Sequence, residues 1–180
     1  KIQNEKAQLT LNHFDLAHEL RLWSDDFKAV ADRRGIRLSV EAPTDPCWVI
    51  ADREKVAHIF FNLMTNALKY TPPKGNITTR LCHDSYTISV ADTGKGLSDN
   101  DRQHIFERFY QAADAVGGTG IGLAIVKAYV DLHHGQVGVE SQQGKGSTFS
   151  FTIPDSQPGY DASQDKQAQV KADTLLADDY

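Results

Sequence analysis

The sequence predicts an α/β (α+β) two-layer sandwich: a mixed, mostly antiparallel sheet of about five strands, covered on one face by three helices. Three observations predict it. Two long segments, Leu16 to Val30 and Val56 to Ala67, carry apolar residues at helical spacing. Short runs rich in β-branched residues alternate with them, at Ile36–Val40, Cys47–Ile50, Ile77–Leu81, Tyr86–Val90 and Ser147–Ile153. Helices and strands alternate along the chain, with two hairpins among them, which suits helices laid on one face of a mixed sheet.

In chain order, Lys1 to Thr10 is polar and helix-compatible, and reads as the end of an upstream helix or a linker. The first helix of the domain starts at Phe14-Asp15-Leu16 and is marked by Leu16, Leu20, Trp23, Phe27 and Val30; it ends near Arg33-Arg34-Gly35. Two strands follow, and then Asp52 caps a second helix that runs to Tyr70, where Pro72-Pro73 stops it. Two strands pair around a turn near Asp84-Ser85. A glycine-rich region spans Asp92 to Gly122, a third helix Leu123 to His134, and a last hairpin joins Gln136–Glu140 to Ser147–Ile153 through Gln143-Gly144-Lys145-Gly146. Beyond Pro154 the chain is mostly polar. Six Asp and two Lys in 155–180 supply -4 of the formal net charge of -5, and the segment reads as a disordered tail or linker. The expected division is therefore 1–10, a domain at 11–154, and 155–180.

Charge and cysteines narrow the function classes. A net charge of -5 leaves no broad basic surface for nucleic acid. The two cysteines, Cys47 and Cys82, have no metal-ligand spacing and suit a reducing compartment, so a cytoplasmic domain is expected. No apolar run approaches the ~20 residues of a membrane span.

The second helix carries the most informative pattern. At about 100° per residue, His58, Asn62, Asn66 and Lys69 fall within about 80° of one another, opposite Val56, Ile59, Phe60, Leu63, Met64 and Ala67. Amide oxygens suit a hard cation and an ammonium suits phosphate, which together suggest a magnesium nucleotide. A merely solvated polar face is the alternative. Asp92-Thr93-Gly94-Lys95-Gly96-Leu97 leaves a strand end. Its carboxylate suits an exocyclic amine and its glycines a close backbone approach, although an Asp turn after a strand is also common. Gly117-Gly118-Thr119-Gly120-Ile121-Gly122-Leu123 opens a helix whose first N–H groups favour phosphate. It is neither a P-loop, lacking Gly-Lys-Ser/Thr, nor a dinucleotide fingerprint, lacking an immediately preceding strand. Ten of the thirteen glycines lie between Gly94 and Gly146, which marks a mobile region. The aromatics of Ile105-Phe106-Glu107-Arg108-Phe109-Tyr110 suit either a lid anchor or a short surface helix with buried rings.

In order, these segments and the closing Gly144-Lys145-Gly146-Ser147-Thr148-Phe149 resemble the N, G1, F and G2 boxes and terminal strand of the catalytic ATP-binding domain of bacterial sensor histidine kinases. The resemblance covers roughly Phe14 to Pro154. It implies the Bergerat ATP-binding fold shared with gyrase B, Hsp90 and MutL, and ATP and Mg²⁺ as ligands. It assigns Mg²⁺ to Asn62, with Asn66 in the metal shell or beside the phosphates. It places Lys69 on phosphate, Tyr70 near adenine, and Asp92 on the adenine amine in a pocket shaped by Gly94, Gly96 and Leu97. Phe109 is expected to contribute from the F box. Gly118, Thr119, Gly120, Ile121, Gly122 and Leu123 are expected to form the lid hinge and phosphate contacts, Thr148 to close the adenine end, and Gln111 to Gly117 to be the lid. His58 stands where gyrase-like ATPases carry a water-activating Glu. That favours transfer to protein over hydrolysis, unless His58 is simply a polar helix residue.

His18-Glu19-Leu20-Arg21 matches the core of the family's phosphoacceptor motif. It continues Leu22-Trp23 rather than Thr-Pro, lies only 44 residues before Asn62, and is explained by the first helix of the ATP domain. The acceptor histidine is thus expected on a separate dimerisation domain, with a response regulator downstream and a monomer in the absence of the dimerisation helices. A related ATPase driving conformational change, and a degenerate nucleotide-binding domain, are the competing functions.

Overall fold

The structure is a computed structural model that describes residues 8–112 and 120–163. Its elements are β1 (Asn12–Asp15), α1 (Leu16–Arg33), β2 (Arg37–Glu41), β3 (Trp48–Ala51), α2 (Arg53–Tyr70), β4 (Asn76–Cys82), β5 (Thr87–Asp92), α3 (Asp99–His104), α4 (Gly122–Leu132), β6 (Gln136–Gln142) and β7 (Gly146–Thr152). Five strands form the main sheet in the order β2-β4-β5-β7-β6. The β2–β4 pair is parallel and the others are antiparallel, as expected of a mixed, mostly antiparallel sheet.

Register explains how the sheet makes both a core and a site. Leu81, Ile88 and Phe151 stand side by side across β4, β5 and β7, with Val137 of β6 next to Phe151. The next inward row is Thr79, Val90, Phe149 and Val139. The last is Ile77, Asp92, Ser147 and Ser141. Side chains alternate between faces along a strand, so these rows share the helix-covered face. The row at one end of the sheet therefore turns from apolar to polar. The other face carries Thr78, Arg80, Ser89, Thr148 and Ser150, none of them buried.

Helix α2 buries Val56, Ile59, Phe60, Leu63, Met64, Ala67 and Leu68, an apolar stripe at i, i+3, i+4 and i+7 spacing. Phe60 meets Trp23 at 6.1 Å and Phe27 at 6.2 Å between ring centroids, which joins α2 to α1. Full burial of a ring of this kind stabilises by roughly 1.5–3 kcal/mol. His18 lies on the exposed side of α1, whose buried face is Leu16, Ala17, Leu20, Trp23, Ser24 and Ala31.

Three features depart from the expected layout. The segment before α1 is a strand: β1 pairs antiparallel with β3 in a separate two-stranded sheet, His13 opposite Ile50. Its outer face leaves Trp48 53% exposed, stacked on His13 at 4.9 Å. The short helix α3 ends at His104, so the aromatics of 105–110 lie in the turns after it. Packing also continues past Pro154. Ile50 N–H donates to the Asp155 carbonyl at 3.1 Å, and buried Gln157 donates to the His133 carbonyl at 2.7 Å.

A polar joint ties α4 to the start of α2. Asp52 caps α2 by accepting the Lys55 N–H at 3.1 Å, and it also accepts the Thr10 N–H at 2.9 Å. These hydrogen bonds, with the Lys55 ammonium 3.2 Å away, hold its carboxyl below the usual range despite burial. The Asp52 N–H donates to His133 Nε2 at 3.0 Å, which assigns the proton of the neutral ring to Nδ1, 2.7 Å from the Tyr129 carbonyl.

Candidate nucleotide site

The polar end of the sheet opens into a cavity of about 260 Å³. A water in liquid occupies roughly 30 Å³, so the space suits a small organic ligand. Helix α2 supplies Asn62, Thr65, Asn66, Lys69 and Tyr70 to its wall. The strand end and loop after β5 supply Asp92, Lys95, Gly96 and Leu97. Ile105, Tyr110, Gln111 and Ala112 line another side, Gly120, Gly122 and Leu123 stand at the start of α4, and Ser147 and Phe149 come from β7.

Asp92 is buried at the end of its strand, 9% exposed. Its Oδ1 accepts the N–H of Gly94 at 2.9 Å and of Ser147 at 3.3 Å. Burial pushes its carboxyl pKa up, against the opposing pull of those two donors. Among the described hydrogen bonds none falls on Oδ2, which leaves that oxygen for a donor in the cavity. The loop is held close by glycine. Gly96 has φ +71°, and a Cβ there would collide with the Gln142 carbonyl.

The α2 side is cationic and amide-rich. The ammonium groups of Lys69 and Lys95 lie 5.3 and 4.8 Å from the Tyr70 ring centroid. Two positive charges at one wall favour an anionic group. Asn62 Nδ2 is buried without a hydrogen-bond partner. An unpaired amide beside a cavity has hydrogen-bonding capacity to spare, and its oxygen and nitrogen exchange by a simple flip. Asn62 Oδ1 lies 3.5 Å from where a Cβ on Gly122 would sit, so glycine keeps the space between α2 and α4 open. No described side chain caps α4, whose first N–H groups stand at the same edge. Among the described residues no three His, Cys, Asp or Glu side chains gather as a metal site. Oxygen donors such as Asn62, completed by phosphate and water, fit magnesium better than zinc.

The structure thus brings together Asn62, Asn66, Lys69, Tyr70, Asp92, Gly96, Leu97, Gly120, Gly122 and Leu123. Gly94 acts through its N–H on Asp92. Ile121 stands at the α4 cap and not on the lining. Gly118 and Thr119, with residues 113–117 of the expected lid, lie outside the described residues.

Three expected site residues stand elsewhere. His58 is off the cavity wall, its ring edge-on to Tyr129 at 5.5 Å, because it lies one full turn before Asn62 toward the C-terminal end of α4. Phe109 is 62% exposed at φ +64°, with Arg108 over its ring at 4.8 Å, so the chain turns it outward. Phe106 is instead the anchoring ring, edge-on to Phe149 at 6.1 Å. Thr148 lies on the outer sheet face, opposite Ala91, and its neighbour Ser147 faces the cavity. The inward phase of Phe149 and Phe151 is the sequence signal that points to Ser147.

Residues 51–157 match the family profile described as histidine kinase-, DNA gyrase B- and HSP90-like ATPase. The chain belongs to that family. Within it, the chain is a catalytic ATP-binding domain of the sensor histidine kinase type. It is 41% identical to the sensor protein DivL of Caulobacter vibrioides over 87% of this chain and 21% of that protein. It is 34% identical to the sensor histidine kinase TmoS of Ectopseudomonas mendocina over 100% of this chain and 19% of that protein. The chain thus spans about a fifth of the length of these curated relatives. Its fold is similar to a crystal structure of full-length ShkA in complex with AMPPNP, with a TM-score of 0.73 and 32% identity over 82% of this chain and 32% of that one.

Proposed function

We propose that this kinase domain binds Mg-ATP in the cavity between α2, α4 and the polar end of the sheet. It then passes the γ-phosphoryl group to a histidine on a separate dimerisation domain, in two-component signalling with a response regulator downstream. The observation that carries the reading is the buried Asp92 carboxylate, with one oxygen tied to backbone and the other left for an amine. Asp92 takes the adenine amine, Leu97 and Tyr70 border the base, and Lys69 and the first turn of α4 meet the phosphates. Asn62, with Asn66 beside it, would hold Mg²⁺, and the ion would supply charge neutralisation at the phosphates. An imidazole nitrogen of the acceptor forms a bond to the γ-phosphorus, the bond to the β-phosphate oxygen breaks, and ADP leaves. Residues that position the phosphates supply most of the protein's part in such a step. With His58 edge-on to Tyr129 and off the cavity wall, the reading assigns it no contact with the phosphates. In this reading the domain acts in the cytoplasm and is monomeric by itself.

The test is incubation with Mg-ATP labelled at the γ-phosphate, first of the domain alone and then with the dimerisation helices of its own protein added in trans. Label on the helices, dependent on the domain, is expected. Sustained phosphate release with no labelled protein would replace the kinase reading with that of an ATPase module. Asn62→Ala is expected to abolish the gain in ATP affinity that Mg²⁺ confers while ATP alone still binds. Parallel titrations with and without Mg²⁺ check this.

A further inference from the structure

Behind the cavity wall lies a hydroxyl that touches no part of the cavity itself. Ser141 of β6 stands directly opposite Ser147 of β7, and their Oγ atoms are 2.7 Å apart. Ser147 lines the cavity, whereas Ser141 does not. Ser141 Oγ accepts the Leu97 N–H at 2.7 Å and donates to the Gly146 carbonyl at 3.1 Å. A hydroxyl has one proton and two lone pairs. Either oxygen could donate across the 2.7 Å contact; with the Ser141 proton assigned to the Gly146 carbonyl, which can only accept, and one lone pair to the Leu97 N–H, the donor between the two serines is Ser147. The Ser147 proton is then held away from the cavity, and only its lone pairs remain for a ligand.

The same wall holds the Asp92 carboxylate, whose Oδ1 accepts the Ser147 N–H at 3.3 Å. Two hydrogen-bond acceptors therefore stand together with no proton of their own. Resting on the nucleotide reading above, we propose that Ser141 is a positioning residue that fixes the Ser147 hydroxyl as an acceptor, so that the site takes a purine edge bearing an amino group and rejects one bearing a carbonyl oxygen. Adenine presents a donor where guanine presents O6. A carbonyl there would face two acceptors, and a site built for one hydrogen-bonding pattern discriminates strongly against its inverse. Without Ser141, the Ser147 hydroxyl is free to swing its proton into the cavity and satisfy that oxygen. The loop itself keeps other tethers. Gly144 N–H donates to the Lys95 carbonyl at 2.7 Å, so loss of the Leu97 bond does not release it.

The test measures the Kd of ATP and of GTP, each with Mg²⁺, on the full chain. Ser141→Ala is expected to lower the ATP-over-GTP preference roughly 5- to 10-fold, the scale of one hydrogen bond made or lost. Ser141→Thr, which keeps the hydroxyl, is expected to hold the wild-type ratio. In a Ser147→Ala background, Ser141→Ala is expected to leave the ratio where Ser147→Ala alone puts it. A purely packing role would instead weaken both nucleotides equally and leave the ratio unmoved, which overturns the proposal. If Ser141→Ala does not fold, Ser147→Ala decides by itself: a lowered ratio supports the proposal and an unchanged one overturns it. Wild-type chain that binds neither nucleotide removes the nucleotide reading and this role with it. Wild-type selectivity that survives Ser141→Ala removes the role of Ser141 alone.

Discussion

Asp92→Asn is expected to weaken ATP binding roughly 10- to 100-fold, the scale of a hydrogen bond to a charged group, with little change in melting temperature. The reason lies in how the carboxylate is used. Oδ1 accepts two backbone N–H groups, from Gly94 and Ser147, and an Asn oxygen can accept both. The Asn NH₂ then falls where Oδ2 stood and meets the adenine amine donor to donor. The fold keeps its bonds, while the ligand loses its acceptor and gains a repulsion. Wild-type affinity carries a pH signature of the same group. Ionised Asp92 is the accepting form, and burial raises its pKa, so affinity is expected to fall on acidification before ordinary carboxylates near 3.9 titrate. Calorimetric titration of both proteins across the acid range checks both parts.

His133→Ala is expected to destabilise the fold by about 3 kcal/mol and lower the melting temperature by on the order of 10 °C. The side chain is fully buried, so its removal leaves a cavity. It also orphans the Asp52 N–H, while the Tyr129 carbonyl loses the ring but keeps the backbone N–H of residue 133. Because Asp52 is the cap of α2, the damage reaches the helix that carries Asn62 and Asn66. Burial lowers the pKa of His133 in the folded state, reinforced by Lys55 and His134 and opposed by the Tyr129 carbonyl and Asp52. An unfolded histidine titrates near 6.5, so the unfolded chain takes up the proton first as pH falls. The contribution of this ring to stability is therefore complete above pH ~6.5 and declines below it. Urea denaturation between neutral and mildly acid pH is expected to show that decline in the wild type and its loss from this position in His133→Ala.

The parts of the fold that one element can announce were legible in the sequence. Periodicity placed α1 and α2, cap chemistry placed Asp52, and turn residues between β-branched runs placed the two hairpins. What escaped depended on partners distant in sequence. Strand β1 has four residues, and among the described strands β3 alone pairs with it. Helix α3 carries its own start signal, Ser98 accepting the Asp101 N–H with Asp99 and Asp101 in the first turn, yet the sequence drew attention to the rings beyond it, which suited a lid anchor or a short helix alike.

The site divides in the same way. Asn62, Asn66 and Lys69 share one helix face, so a 3.6-residue period was enough to unite them. The period gives direction but not height. His58 shares the direction and sits about 6 Å lower along the axis, at 1.5 Å per residue. A strand is less forgiving, because one residue of error exchanges its faces, and that is the difference between Thr148 and Ser147. The outward turn of Phe109 rests on a positive φ that its side chain does not advertise. The Ser141 hydroxyl became visible once the register of β6 against β7 was known.

The central claim is that the polar end of the sheet and the amide face of α2 form one Mg-ATP site. Amide NMR spectra of the ¹⁵N-labelled chain, titrated with Mg-ATP to about 1 mM, at the upper end of common KM values, test it most directly. Saturable shifts are predicted at Asn62, Asn66, Asp92, Gly96, Gly122 and Ser147, with the β1–β3 sheet unmoved. Spectra unchanged at that concentration, or shifts centred on Trp48 and His13 instead, would contradict it.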